Sequence, residues 1–341
     1  ADLSGLDFRG ADLSGGRFEQ VLFKKANLSG ADILRTGFKN CDFSGANFDD
    51  TDLTKVDLRR MHLNGASLRG AKLHMTMLQH ADLSDADCTG AFFSWSFMLH
   101  AKLDRSILIA TKWEKVMLNH ATLKKADLSN ANLFKVMFHE ADLEEAIFKN
   151  TSFSKVFFGG ANLTGQKFKN AKFSTVNCQG AKLSSVDFTS ADISMSNFGE
   201  ADLTQARFDQ AYGKNAMFKE AFLVGASLKE ANLTESYFGE ANLSRADFTD
   251  ADLTSCVLAK AVCRAAVFSG ASMNYADLSH ADLTGADFSG ANLFMAKLHG
   301  IIEEHTNWNN AVTSPVRGVD QDLAEAEDWT PPIMFTPKTR R

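Results

Sequence analysis

The stretch ADLSHADLTGADFSGANL, Ala276 to Leu293, places Leu or Phe at every fifth residue, with Ala two positions before each. A period of five matches neither the two-residue pleat of a strand nor the 3.6-residue turn of a helix. It matches a short extended piece followed by a turn, with two side chains facing in and three facing out. Counting by fives in both directions, the frame runs from Leu3 to Leu298 without insertion or deletion: 60 centres, of which 51 are Leu or Phe. The other nine are Ile33, Cys88, Met98, Trp113, Cys178, Ile193, Gly213, Cys263 and Met273, so only Gly213 lacks a substantial apolar side chain. The residue two before the centre is Ala in 38 of the 60. Each repeat therefore supplies one large and one small inward group.

Repetition of such a unit coils the chain, and four units closing one square turn would stack residues 20 apart. The sequence carries that second period. On the line Gly16, Thr36, Val56, Thr76, Ser96, Val116, Val136, Val156, Val176, Ser196, Ala216, Ser236, Cys256, Ala276, Ala296, the small inward residue is Ala in 3 of 15 cases. On the other three lines it is Ala in 35 of 45, so one face differs from the rest.

The motifs ADLSG, ANLSG, ADLTG and ADFSG resemble the A(D/N)LXX signature of the pentapeptide-repeat proteins. The resemblance implies an all-β fold, a right-handed quadrilateral parallel β-helix, here of about 15 four-sided coils. Coils at the ~4.8 Å spacing of paired strands give a rod roughly 70 Å long. Because each coil rests on its neighbours, stability approximates a nearest-neighbour sum. Two regions are expected: the repeat β-helix over 1–300 and a C-terminal cap or tail over 301–341. The latter holds all four prolines, and its GVDQDLAEAEDW reads as a short helix. The cap would cover the open end of the column; the alternative is a docking tail. Ala1 begins in repeat phase without a Met, which reads as a cut or processed end inside a longer array.

Composition narrows the function classes. Lys and Arg number 36 and Asp and Glu 42, a net charge of −6, which does not suit a phosphate binder working through a positive field. No apolar stretch has the length for a bilayer span, and no signal peptide is present at this start. Cys41, Cys88, Cys178, Cys256 and Cys263 all fall on inward positions and read as small core hydrophobes rather than disulfide or zinc ligands. Asp and Asn in the slot before the centre are turn grammar, since a short polar side chain can bond its own backbone. No Ser/His/Asp order, phosphate loop or HExxH occurs. The reading is non-catalytic, with no cofactor and no metal.

Two outward ladders break the grammar on the odd face. In the Asp/Asn slot stand Met77, Phe97, Met117, Met137 and Phe157, and after two Asn come Met217, Tyr237 and Val257. FFSWSFMLH adds Phe92, Trp95 and Leu99 to this stripe. Exposed apolar side chains in register mark a protein-binding surface. Two residues past the same centres lie His80, His100 and His120, then Glu140 and Glu200, Glu220 and Glu240. The histidines could bind a metal or sense pH, or descend from simple duplication. At Gly213, the neighbouring Tyr212 is expected to fold inward and fill the gap, or else the coil bends.

These features favour a scaffold or adaptor that binds protein through the stripe, with a second copy of the chain as one partner and neither membrane nor nucleic acid as another. A cytoplasmic location follows, with a module of a larger bacterial secretion-related protein as the open alternative. The resemblance also implies a second class, DNA mimics that bind DNA gyrase. The repeats carry 32 basic and 35 acidic residues, a net of −3. A duplex of the same length would carry roughly 40 charges.

Overall fold

A computed structural model describes residues 1–314. Within them the chain is a β-solenoid whose rungs all join residues 20 apart in parallel, from Asp2↔Leu22 to Asn292↔Val312. Most rungs are single bridges. Seven lengthen into three-residue strands: β1 (Arg17–Glu19), β2 (Gly37–Lys39), β3 (Lys72–His74), β4 (Phe92–Ser94), β5 (Lys112–Glu114), β6 (Asn132–Phe134) and β7 (Ser152–Ser154). β1 pairs with β2, and β3 through β7 form one five-stranded sheet in sequence order. The pairing continues beyond residue 300 through Asp282↔Ile302 and Asp287↔Asn307. The expected helix at 318–329 lies outside the described residues.

The five-residue period is a turn period. The amide two places before one centre donates to the carbonyl of the preceding centre, as Leu6 does to Leu3 and Ala11 to Phe8. The residue two past each centre, every multiple of five from Gly5 to Asn310, takes positive φ, the requirement of a type II turn. Sixteen of these positions are Gly, but 46 are not, Trp95 among them at φ 51°. Each non-glycine there carries about 1 kcal/mol of strain that the stacked rungs must offset. The Asp/Asn slot helps: Asp2 accepts from the Ser4 amide and Asp12 from the Ser14 amide, each at 2.9 Å, and the pattern recurs along the rod.

Inside, the Leu/Phe centres and their Ala partners form one column, buried from the second coil onward except at Ala171 and Leu298, which are partly buried. All five cysteines are buried in it, and burial pushes the Cys88, Cys256 and Cys263 thiols up to about 12. Polar residues at inward positions find a centre's carbonyl, most of them 23 residues earlier: Thr76 Oγ1 donates to Leu53 O at 2.8 Å, Ser196 to Phe173 O and Ser236 to Gly213 O, while Ser106 and Thr111 bond the centre three residues earlier. That acceptor is why the odd face tolerates Thr and Ser in its core. Tyr212 does not fill the place at Gly213, because its side chain stays exposed. Leu233 and Ile193, one coil away on either side, close on the glycine instead, and a Cβ there would sit 2.8 Å from Leu233. At the last described coil the Trp308 ring stacks on Phe288 at 4.5 Å.

The ladder is interrupted twice. Asp32 and Asp52 are not bridged, and neither are the pairs Ile147/Lys167 and Ser152/Lys172. Between these interruptions lies the body that carries the five-stranded sheet.

Candidate functional site

The odd face positions its outward side chains by register alone. Met77 bridges Phe97, Phe97 bridges Met117, Met117 bridges Met137 and Met137 bridges Phe157, so five apolar groups stand one per coil on a straight line. Phe97 and Met117 are exposed; Met77, Met137 and Phe157 are half-buried. Phe157 owes its partial cover to Gly159, where any Cβ would overlap its ring, and Tyr237 lies over Gly239 in the same way. Such glycines let an aromatic ring lie flat along the corner instead of standing into solvent.

The corner that leads into this face is the one built by β3 to β7. Phe92 is exposed at the start of β4, and Trp95 follows at its apex, 45% exposed. Leu99, on the opposite corner, is half-buried. The Lys115 ammonium sits 4.1 Å above the Trp95 ring, a cation–π contact that fixes the indole's orientation. Met75 continues the same edge and is exposed. Met75 breaks the rule that the position two past the centre usually holds a polar residue or glycine, a signal the sequence carries, whereas Lys115 obeys the rule and its place over Trp95 shows only in space. Ile107 and Ile147 also occupy Asp/Asn slots and are exposed, but on a different face.

The histidines form a stack. His80 and His100 lie 4.8 Å apart with 4° between their planes, and His100 and His120 lie 4.9 Å apart with 9°. A ring nitrogen's lone pair lies in the ring plane, so parallel rings direct their donors side by side rather than at one ion. No group of three His, Cys, Asp or Glu suited to a metal occurs among the described residues. His139 and Glu140 close the stack: Glu140 accepts at 3.2 Å from His120 and 3.4 Å from His139 when these are charged. The later glutamates are partly neutralised. Lys219 pairs with Glu220 at 2.9 Å, and the Gln179 amide donates to Glu200 at 3.0 Å.

A parallel solenoid of stacked five-residue turns with an apolar column of Leu, Phe and Ala defines the class. The chain belongs to the pentapeptide-repeat family. The sequence model described as pentapeptide repeats (8 copies) matches residues 1–33, 41–76, 62–99, 114–150, 126–165, 231–262 and 261–300, and the pentapeptide repeat region model matches 161–238. No curated protein matches the chain. Among solved structures it is similar to HetL, a pentapeptide repeat protein involved in heterocyst differentiation regulation from the cyanobacterium Nostoc. Identity is 24% over 79% of this chain and 91% of that one, with a TM-score of 0.27. Full-length QnrB1, a plasmid-mediated fluoroquinolone resistance protein, is 16% identical over 74% of this chain and 92% of its own, with a TM-score of 0.26. A thylakoid-lumen pentapeptide repeat protein of Arabidopsis thaliana is 30% identical over 36% of this chain and 65% of its own, with a TM-score of 0.13. No described helix is long and apolar enough to cross a membrane.

Proposed function

We propose that this chain is a non-catalytic β-helical scaffold that binds protein through the Met77–Phe157 stripe, acting in the bacterial cytoplasm or as a module of a larger secretion-related protein. The observation that carries the reading is the register of five apolar groups on one line, thickened at one edge by Phe92 and Trp95. The outward slot holds a polar residue in most repeats, so the column beneath does not require Met and Phe there. The simplest occupant is a second copy of the chain, since a straight ladder on a flat face pairs with itself about a two-fold axis.

The test is solution mass by light scattering over a concentration series, for the native chain and for the Trp95→Ser/Phe97→Ser variant. A native dimer that becomes monomeric in the variant, with its melting temperature unchanged, supports self-pairing. A native chain that stays monomeric throughout rejects it and leaves a different protein as occupant. The gyrase-binding reading rests on the family resemblance, and the near-balanced charge of the repeats speaks against it. A supercoiling assay in which the chain leaves DNA gyrase uninhibited is the expected result.

A further inference from the structure

The larger interruption of the ladder is a cleft of about 930 Å³ in the side of the rod. Rungs hold at Asp142↔Asn162 and at Phe157↔Asn177, but the two faces between them are unpaired. The coil junction before the cleft is intact, with Asp127↔Ile147 and β6 on β7, and so is the one after it, with Lys167↔Asp187 and Lys172↔Asp192. One wall therefore presents the amides of Glu145, Phe148, Asn150, Phe153 and Lys155, none of which has an acceptor among the described residues. The other presents the amides of Lys167 and Lys172, whose counterparts one coil later donate to Gln166 O and Ala171 O. Phe148 and Phe153 are buried and the other five residues are exposed, so the first wall offers two buried amides, which are seldom left unpaired, within a row open to solvent.

The core explains the opening. Six of the eight centres from 138 to 173 are Phe. Elsewhere a Phe lies nearly flat on the Phe 20 residues away: 10° between Phe198 and Phe218, 2° between Phe218 and Phe238, 16° between Phe268 and Phe288. Across the cleft the angles are 37° for Phe148 and Phe168 and 57° for Phe153 and Phe173. A tilted ring needs more height at its edge than a flat one, and the rungs are lost at this level, while the ring centroids stay 5.6 and 5.1 Å apart and close the floor of the cleft. Gln166 stands where Ala is usual and reaches Leu143 O at 2.7 Å, adding bulk at the same level.

The rim is basic. Lys149, Lys167, Lys169 and Lys172 line it, and none of the four makes an ion pair among the described residues. Its one carboxylate, Glu145, is already 3.6 Å from Lys125. Two open strand edges with a phenylalanine floor and an unneutralised lysine rim define their ligand by complementarity. We propose that this cleft binds an extended acidic peptide segment of a partner protein, laid along the cleft as an added strand. Main-chain groups of the peptide meet the free amides, and its alternate side chains meet the phenylalanines and the lysines. This site begins beside the Phe157 end of the stripe, but no stripe residue lines it.

The probe is a fluorescein-labelled octapeptide of alternating Glu and Val, with the Gln/Val octapeptide as neutral control, titrated against the full chain by anisotropy. Hydrogen exchange of the amides at Phe148, Phe153, Lys167 and Lys172 is followed in parallel. The expected result is saturable binding of the acidic peptide, slowed exchange at those amides, and at least tenfold weaker binding to Lys167→Glu/Lys172→Glu. The Trp95→Ser/Phe97→Ser variant should bind as the native chain does. The proposal is overturned by absent binding, by equal binding of the neutral peptide, or by binding that leaves the cleft amides unslowed, which is surface attraction only. Amides already protected in the free chain also overturn it, because the cleft is then filled by the chain itself.

Discussion

Residues 72–157 and residues 177–297 are written in the same repeat, yet they treat one corner differently. In the second region the corner before the odd face closes: Ser196 donates its amide to Ile193 O, Ser236 to Leu233 O and Cys256 to Leu253 O, each at 3.1 Å. In the first region that bond is missing at Thr76, Ser96, Val116, Val136 and Val156, and the corner is drawn out into β3 to β7. The residue at the end of the corner does not decide it, since Ser96 and Thr76 follow open corners and Ser196 and Thr36 closed ones. β-branching alone does not decide it, because Val56 closes its corner. The five-residue apolar run lies in the first region, beside the drawn-out corner, while the second carries a shorter run of Met217, Tyr237 and Val257 beside closed corners. The turn and the surface thus vary along the rod while the column beneath stays the same.

That sameness can be broken directly. Leu128→Asp in the first region and Leu243→Asp in the second both place an unpaired charge in the buried column. Each should cost roughly 4 kcal/mol or more and disrupt its own and adjacent coils. Circular dichroism melts read the effect, and an unchanged melting temperature in either would refute the axis assignment there. A smaller effect sharpens the point that the repeat is a rule with local exceptions. Gly213→Leu restores the consensus centre yet should destabilise by about 1–3 kcal/mol, because Ile193 and Leu233 already occupy the space. A gain in stability would mean that the neighbours relax freely.

The smallest effect concerns surface charge. The Arg105 guanidinium, hydrogen-bonded to Asp85 at 2.7 Å, holds that carboxyl below its ordinary value, and Arg59 does the same for Asp57. A carboxyl lowered in the folded state contributes stability above its unfolded pKa, near 4, and loses it as pH falls through the folded value. Thermal stability should be flat above about pH 5 and decline below 4. Asp85→Asn should flatten part of that decline without shifting the neutral-pH melt by more than a few tenths of a kcal/mol. A melt that rises on acidification would contradict the sign.

Much of this was legible in the residues. Every centre from Leu3 to Leu298 announced the frame, and the Val, Thr and Ser run from Thr36 to Ser196 announced that one face differs. The outward phase of Phe92, Trp95 and Phe97 was equally plain, because the period leaves no other side for them. What the sequence hid depends on neighbours 20 or more residues away. At Gly213 the sequence offers Tyr212 or a bend in the coil, because Tyr212 adjoins it along the chain, whereas Ile193 and Leu233 adjoin it in space. The cleft at 145–175 was foreshadowed by crowded phenylalanines, but whether crowding tilts rings or compresses them is settled only by packing. Likewise the imidazoles of His80, His100 and His120 were placed in line, while their flat stacking comes from rotamers.

The register of 20 makes the rod a dial as well as a ruler. Adding or removing 20 residues changes the length by one coil, about 4.8 Å, and leaves every outward line straight. Adding or removing five keeps every centre buried but turns all that follows by a quarter. Excising Ala126–Asn130 would carry Met137 and Phe157 onto the preceding face and leave Met77, Phe97 and Met117 where they are. For a gene of this kind the unit of neutral length variation is therefore the coil. The pentapeptide is the unit that re-aims a surface without disturbing the fold that displays it.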